Sequence, residues 1–100
     1  MPLFMIERNF AEKLVVTPEG AAAINKVNDQ SSVRWLISFL SADGKKTYCL
    51  YEASSPEAIR EAARQGEIPA DVIIEVDEEI LPNGTSYDLR VDRFKDSSRS

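Results

Sequence analysis

Residues 32–59, SVRWLISFLSADGKKTYCLYEASSPEAI, carry the reading that decides the fold. Two runs rich in β-branched and aromatic residues flank Asp43-Gly44, a pair that supplies the positive φ angles of a tight hairpin turn at little cost. If Asp43-Gly44 is a two-residue loop, Tyr48 lies opposite Phe39, Leu50 opposite Ile37 and Glu52 opposite Trp35. A three-residue bulged turn shifts that pairing by one. Side chains alternate along a strand, so one face of the hairpin carries Val33, Trp35, Ile37, Phe39, Tyr48, Leu50 and Glu52. The other carries Arg34, Leu36, Ser38, Leu40, Thr47, Cys49, Tyr51 and Ala53. Both faces are largely apolar.

The hairpin is followed by Ser54-Ser55-Pro56-Glu57, which offers an N-cap, a proline at the first helical position and an acid where the helix dipole favours it. This helix runs to Gln65 with Gly66 expected at C′. Its stripe of Ala58, Ile59, Ala62 and Ala63 is small enough to sit close to a sheet. Pro69 then leads into DVIIEVDEEI, read as a strand over about residues 71–80 with Glu75, Asp77 and Glu79 alternating onto one face. Upstream, LFMIERNF at residues 3–10 reads as a strand whose far end, bearing Glu7, Arg8 and Asn9, reaches solvent or a site. Thr17-Pro18-Glu19 starts a second capped helix to about Gln30, with Ala21, Ile24, Val27 and Asn28 at helical spacing.

Aligned, the two halves repeat: strand, Thr/Ser-Pro-Glu, helix. The result is an α+β fold, the ferredoxin-like β-α-β-β-α-β arrangement with an antiparallel sheet and both helices on one face. That domain is expected over residues 1–82. Residues 83–100 form an extension in which Tyr87, Leu89 and Val91 alternate as in a short further strand, before a KDSSRS end expected to be disordered. Two helices cover one face of a four-stranded sheet, so the second apolar face needs a partner. A two-fold homodimer, closing a dimeric α/β barrel, is the simplest supply, and a C-terminal segment folding back is the alternative.

A chain of 100 residues, 43% of them hydrophobic, suffices for one core and not for two. The net charge of −5 is concentrated: residues 52–79 hold nine acids and two arginines. A surface of that sign repels phosphates, which argues against nucleic acid as a partner. No apolar run reaches the roughly 18 residues of a membrane span. The start MPLFMIER has a charge too early for a secretory leader, and one cysteine makes no internal disulfide, so the cytoplasm is the expected compartment. Asn83-Gly84-Thr85 fits a glycosylation sequon, but after Pro82 it reads first as a turn.

The candidate ligand-binding residues are Glu7, Trp35, Tyr48 and Glu52. In the pairing above Trp35 faces Glu52, Tyr48 shares their side, and the first strand is the expected neighbour that brings Glu7 to them. A carboxylate on a mostly apolar sheet face needs a cation, and Arg8 or Arg34 across a dimer interface would serve. No catalytic residue is assigned. Cys49 has no histidine to act as its base and reads as a small buried hydrophobe. Tyr48 and Tyr51 point to opposite faces and cannot flank one ligand. Glu75, Asp77 and Glu79 lack the loop and glycine of calcium motifs and read as a solvated face.

MIERNF, VRWLISFLSADGKKTYCLYEASSPEAIREAARQGEIPAD and the strand that follows resemble a small bacterial family of unknown function typified by a nickel-binding protein. The likeness covers about the first 80 residues. It implies a ferredoxin-like fold that dimerises through its sheet, and nickel as a cofactor to consider. Members often carry a histidine two residues after the tryptophan, where this chain has Ile37, and it has no histidine anywhere. Nickel favours imidazole and other nitrogen donors, so neither a metal nor another cofactor is expected. The expected function is that of a homodimeric protein binding a small molecule or a metal ion at the sheet interface. The alternative is a cofactor-free dimeric α/β-barrel enzyme such as a small monooxygenase, with Glu7 or Glu52 as its base.

Overall fold

Thr17 and Ser55 cap helices as their sequence context requires: Gly20 N donates to Thr17 Oγ1 at 3.0 Å and Ala58 N to Ser55 Oγ at 3.2 Å. These caps open α1 (Pro18–Gln30) and α2 (Pro56–Gln65), set among β1 (Leu3–Asn9), β2 (Arg34–Leu40), β3 (Lys46–Glu52) and β4 (Val72–Val76). A short hairpin of β5 (Glu78–Ile80) and β6 (Ser86–Asp88) follows. This computed structural model describes residues 1–89, so the readings made for Val91 and for KDSSRS lie outside the described residues. The four longer strands form one antiparallel sheet in the order β2-β3-β1-β4, which is the order expected of the ferredoxin-like arrangement. Both helices pack on one face, where Phe4, Ile6, Cys49, Tyr51 and Ala53 meet Val27 of α1 and Ile59 and Ala62 of α2.

Three local readings are corrected. The first concerns register. Near the turn the pairing is as expected, with Phe39 opposite Tyr48 and Ile37 opposite Leu50, but beyond a bulge at Leu36 Trp35 pairs with Tyr51 and Arg34 with Glu52. A bulge puts two residues of one strand against one of the other, and every side chain past it changes face. Trp35 therefore lies on the helix side, while Leu36 and Ile37 both pack toward Leu3, Leu50 and Leu89 on the open side. The connection is longer than a two-residue Asp43-Gly44 loop: Gly44 N donates to Ser41 O, Ser41 N donates to Lys46 O, and Gly44, at φ 75, takes the positive φ that Asp43 does not. Asp43 accepts from Ser41 Oγ and from Lys45 N, which holds its carboxyl below the usual range.

The second concerns the last strand. Residues 71–80 do not run as one strand, because β4 ends at Val76 opposite Leu3. An antiparallel continuation would meet Pro2, which has no N–H to donate. The chain turns away instead: Leu89 N donates to Asp77 O, and β5 pairs with β6. Glu75, Asp77 and Glu79 thus share no strand face. Between β5 and β6, Asn83 Oδ1 accepts from Thr85 N and Oγ1, the turn expected there.

The third concerns helix ends. Gly66 is not the left-handed residue: it has φ −82, and Glu67 has φ 56. Ile68 N donates to Ala63 O and Glu67 N to Arg64 O, the Schellman pattern with Glu67 at C′. Helix α1 ends the same way, with Ser32 at φ 58, Val33 N on Asn28 O and Ser32 N on Asp29 O. Gly66 lies beside α1, where a Cβ would be in ordinary contact with Ile24 Cδ1 at 3.4 Å.

Glu67→Gly, which removes the left-handed strain, is expected to stabilise the protein by about 0.5–1 kcal/mol in urea denaturation. Ile59→Ala, at a side chain 1% exposed, is expected to cost about 2–5 kcal/mol in the same assay.

Candidate functional site

Arginine in phase with a core strand is the first mark of the site. Along β1, Phe4, Ile6 and Arg8 point to the helix side, so a guanidinium enters the layer that the apolar residues build. Beside it the chain leaves β1, crosses residues 10–17 and enters α1. Two hydrogen bonds, Phe10 N to Lys45 O and Leu14 N to Gly44 O, tie this lead-in to the β2–β3 turn. Val15 and Val16 of this lead-in are exposed. The space beneath is a cavity of about 280 Å³. Its floor is Arg8, Trp35, Ser38, Thr47, Cys49 and Tyr51, its roof is the lead-in with Gly20, Ala21 and Ile24 of α1, and Ile68 closes one side.

The polar groups of the floor are ordered by one another. Arg8 is 4% exposed, donates from Nη1 to the Pro69 carbonyl and sets its Cζ 5.5 Å from the centre of the Tyr51 ring, a cation–π contact. Trp35 and Tyr51 stack with centroids 6.5 Å apart and planes 9° from parallel. The indole Nε1 donates to Ser38 Oγ at 2.8 Å, and Cys49 Sγ lies 3.6 Å from Thr47 Oγ1. Burial pushes the Tyr51 hydroxyl above its ordinary value, against the pull of Arg8 and of Asn28, whose Nδ2 donates to it. Arg8 is the only charged residue in the lining, and no lining residue is a carboxylate or an imidazole.

The four residues picked from the sequence are divided by the bulge. Trp35 lines the cavity, whereas Glu7, Tyr48 and Glu52 lie on the open face with Leu3, Met5 and Leu50. Glu7 and Tyr48 are cross-strand partners. Glu52 is four residues further along β3, roughly 13 Å at the rise of a strand. Each carboxylate has a cation within this chain: Arg34 Nε lies 3.4 Å from Glu52 Oε1, and Lys46 Nζ 3.6 Å from Glu7 Oε2. No cation from another copy is required for either. Arg8, Thr47 and the lead-in were missed as site residues. The signal for Arg8 was its place two residues after Ile6 and two before Phe10, which puts its charge in the core phase.

The geometry was compared with known proteins. A family model described as nickel responsive protein SCO4226-like matches residues 4–76. The chain belongs to the SCO4226-like family. In fold it is similar to the crystal structure of SCO4226 from Streptomyces coelicolor A3(2), with a TM-score of 0.65 and 22% identity, over 74% of this chain and 94% of that one. A search among curated proteins found no match. The SCO4226-like description raises nickel, and the residues here do not fit it. Among the described residues no three of His, Cys, Asp and Glu come together. Glu7 and Glu52 are too far apart to share an ion, Cys49 is on the other face, and Ile37 offers no donor. Among the described residues no helix is long and apolar enough to cross a membrane.

The tyrosine gives a test of this geometry. Because burial raises the folded-state pKa of Tyr51 above 10, the linked stability is complete below pH 10 and lost as pH rises through the folded value. Tyr51→Phe should therefore remove a phenolate absorbance step with a midpoint above 10, and should flatten the alkaline fall in stability.

Proposed function

We propose that this chain is a binding protein rather than an enzyme, holding a small, mainly apolar molecule between α1 and the sheet and pairing with a second copy through the open face. The observation that carries the reading is the cavity: about 280 Å³, walled by Leu14, Ile24, Trp35 and Ile68, with its few polar groups gathered on one floor. Such a half-open pocket, apolar with a small number of convergent polar groups, has the character of a ligand site. Its lining has no carboxylate or imidazole to take up and return a proton, which favours binding over general acid–base chemistry. The site therefore differs from the sheet-interface pocket expected from sequence.

The second copy is supported by the open face. Phe39, Tyr48, Val72 and Ile74 are 57%, 38%, 42% and 56% exposed on one side of the sheet, beside Met5 and Ile37. Among the described residues, Leu89 packs with Leu3 and Leu50 on this face. A continuous apolar patch of this kind calls for a partner, and a two-fold pairing of sheets covers both copies at once, as in a dimeric α/β barrel.

Two measurements test the reading. Titration with 4-phenylbutanol should change the emission of the single tryptophan, Trp35, saturably in the native protein and not in Ala21→Phe, whose ring fills the cavity; no saturable change in the native protein overturns the ligand site. Sedimentation should give a dimer that Phe39→Glu and Ile74→Glu convert to monomer, and a native monomer at every concentration overturns the pairing.

A further inference from the structure

We infer that the ligand of this cavity is a compact monocarboxylic acid, its carboxylate on Arg8 and its apolar body against Trp35 and Ile24. The inference rests on the reading of the cavity as a ligand site and adds the charge and class of what enters it. Arg8 is 4% exposed, and a guanidinium stays protonated at any working pH. A buried charge is costly unless it is paired, and folded proteins pair it. Among the described residues no carboxylate lies within ion-pair distance of Arg8, whereas Arg34, Lys46, Arg60 and Arg64 each have one. The Pro69 carbonyl, the Tyr51 ring and the Tyr51 hydroxyl meet it and spread the charge without neutralising it.

Arg8 lines the cavity, and a guanidinium has five N–H donors, the kind of group that a carboxylate oxygen accepts from in a charge-assisted bond. The rest of the lining is uncharged, so the cavity matches a single negative charge; a phosphate dianion would bring a second charge with no counterpart. The volume sets the size. At about 280 Å³ the cavity lies just under the usual 300–1,000 Å³ of small-molecule sites, which favours a short acid over a long-chain one.

Calorimetric titration with 4-phenylbutyrate and 4-phenylbutanol, which differ only in the head group, decides the matter, with the NMR shift of the Trp35 indole N–H locating each. The acid should bind at least about tenfold tighter than the alcohol, the worth of a charge-assisted hydrogen bond. Arg8→Met should abolish the difference by weakening the acid alone. Equal binding, or tighter binding of the alcohol, overturns the acid and leaves the cavity reading standing. Binding of neither overturns both. If Arg8→Met does not fold, the comparison on the native protein decides alone.

Discussion

Trp35 stacks on Tyr51, and it reaches that ring because β2 holds one residue more than its partner strand needs. Without Leu36 as the extra residue, the indole would lie on the open face across from Glu52 and the guanidinium of Arg34 would be turned under the helices. The bulge resolves both conflicts at once. Stacking contributes about 0.5–1.5 kcal/mol beyond the area it buries. Arg34 stays on the side where Glu52, only 11% exposed at its side chain, needs a cation. The cavity depends on the same step, since Trp35 and Ser38 form part of its floor only from the helix side.

The element boundaries follow from where hydrogen bonds can still be made. Strand β4 stops where β1 runs out of donors at Pro2, and the freed chain is caught by β6 and by Leu89 N on Asp77 O. Both helices end by placing an ordinary residue, Ser32 or Glu67, in the left-handed region so that the next residue can return its N–H to Asn28 or Ala63. Val33, 4% exposed, is the result in the first half. In the second, Ile68 closes the side of the cavity. At the first helix the strained C′ residue is followed by a buried one, Val33, an exchange that favours the folded state when burial of a branched side chain contributes about 1.5–3 kcal/mol.

Much of this was legible in the chain. Both Thr/Ser-Pro-Glu entries, the Asp43-Gly44 turn, the antiparallel sheet and the two helices on one face were readable because each rests on local chemistry or on strand alternation. Cys49 was read as a buried hydrophobe and is 5% exposed in the core. What failed was long-range. A bulge leaves no mark in composition, so alternation counted back from the turn gave the right partners for Phe39 and Ile37 and the wrong face for Trp35. The left-handed C′ residues were missed because neither is Gly or Asn. The cavity was missed because it belongs to a loop, residues 10–17, whose path is set by contacts with the β2–β3 turn rather than by its own pattern. Arg8 was visible in the pattern, but it was weighed only as a partner for a carboxylate across an interface.

Alternation along β3 explains how one short strand serves two surfaces without mixing them. Thr47, Cys49 and Tyr51 look into the cavity, while Tyr48, Leu50 and Glu52 look to the open face. A molecule beneath α1 and a second protein copy on the sheet would therefore touch the same strand from opposite sides and exclude neither one the other. The charges are divided the same way. The open face pairs its cations within the chain, Arg34 with Glu52 and Lys46 with Glu7, so it can meet an apolar partner without an unmatched charge. The helix side holds Arg8 against a carbonyl and an aromatic ring instead of a carboxylate, so the two faces of the sheet differ in how their charges are met.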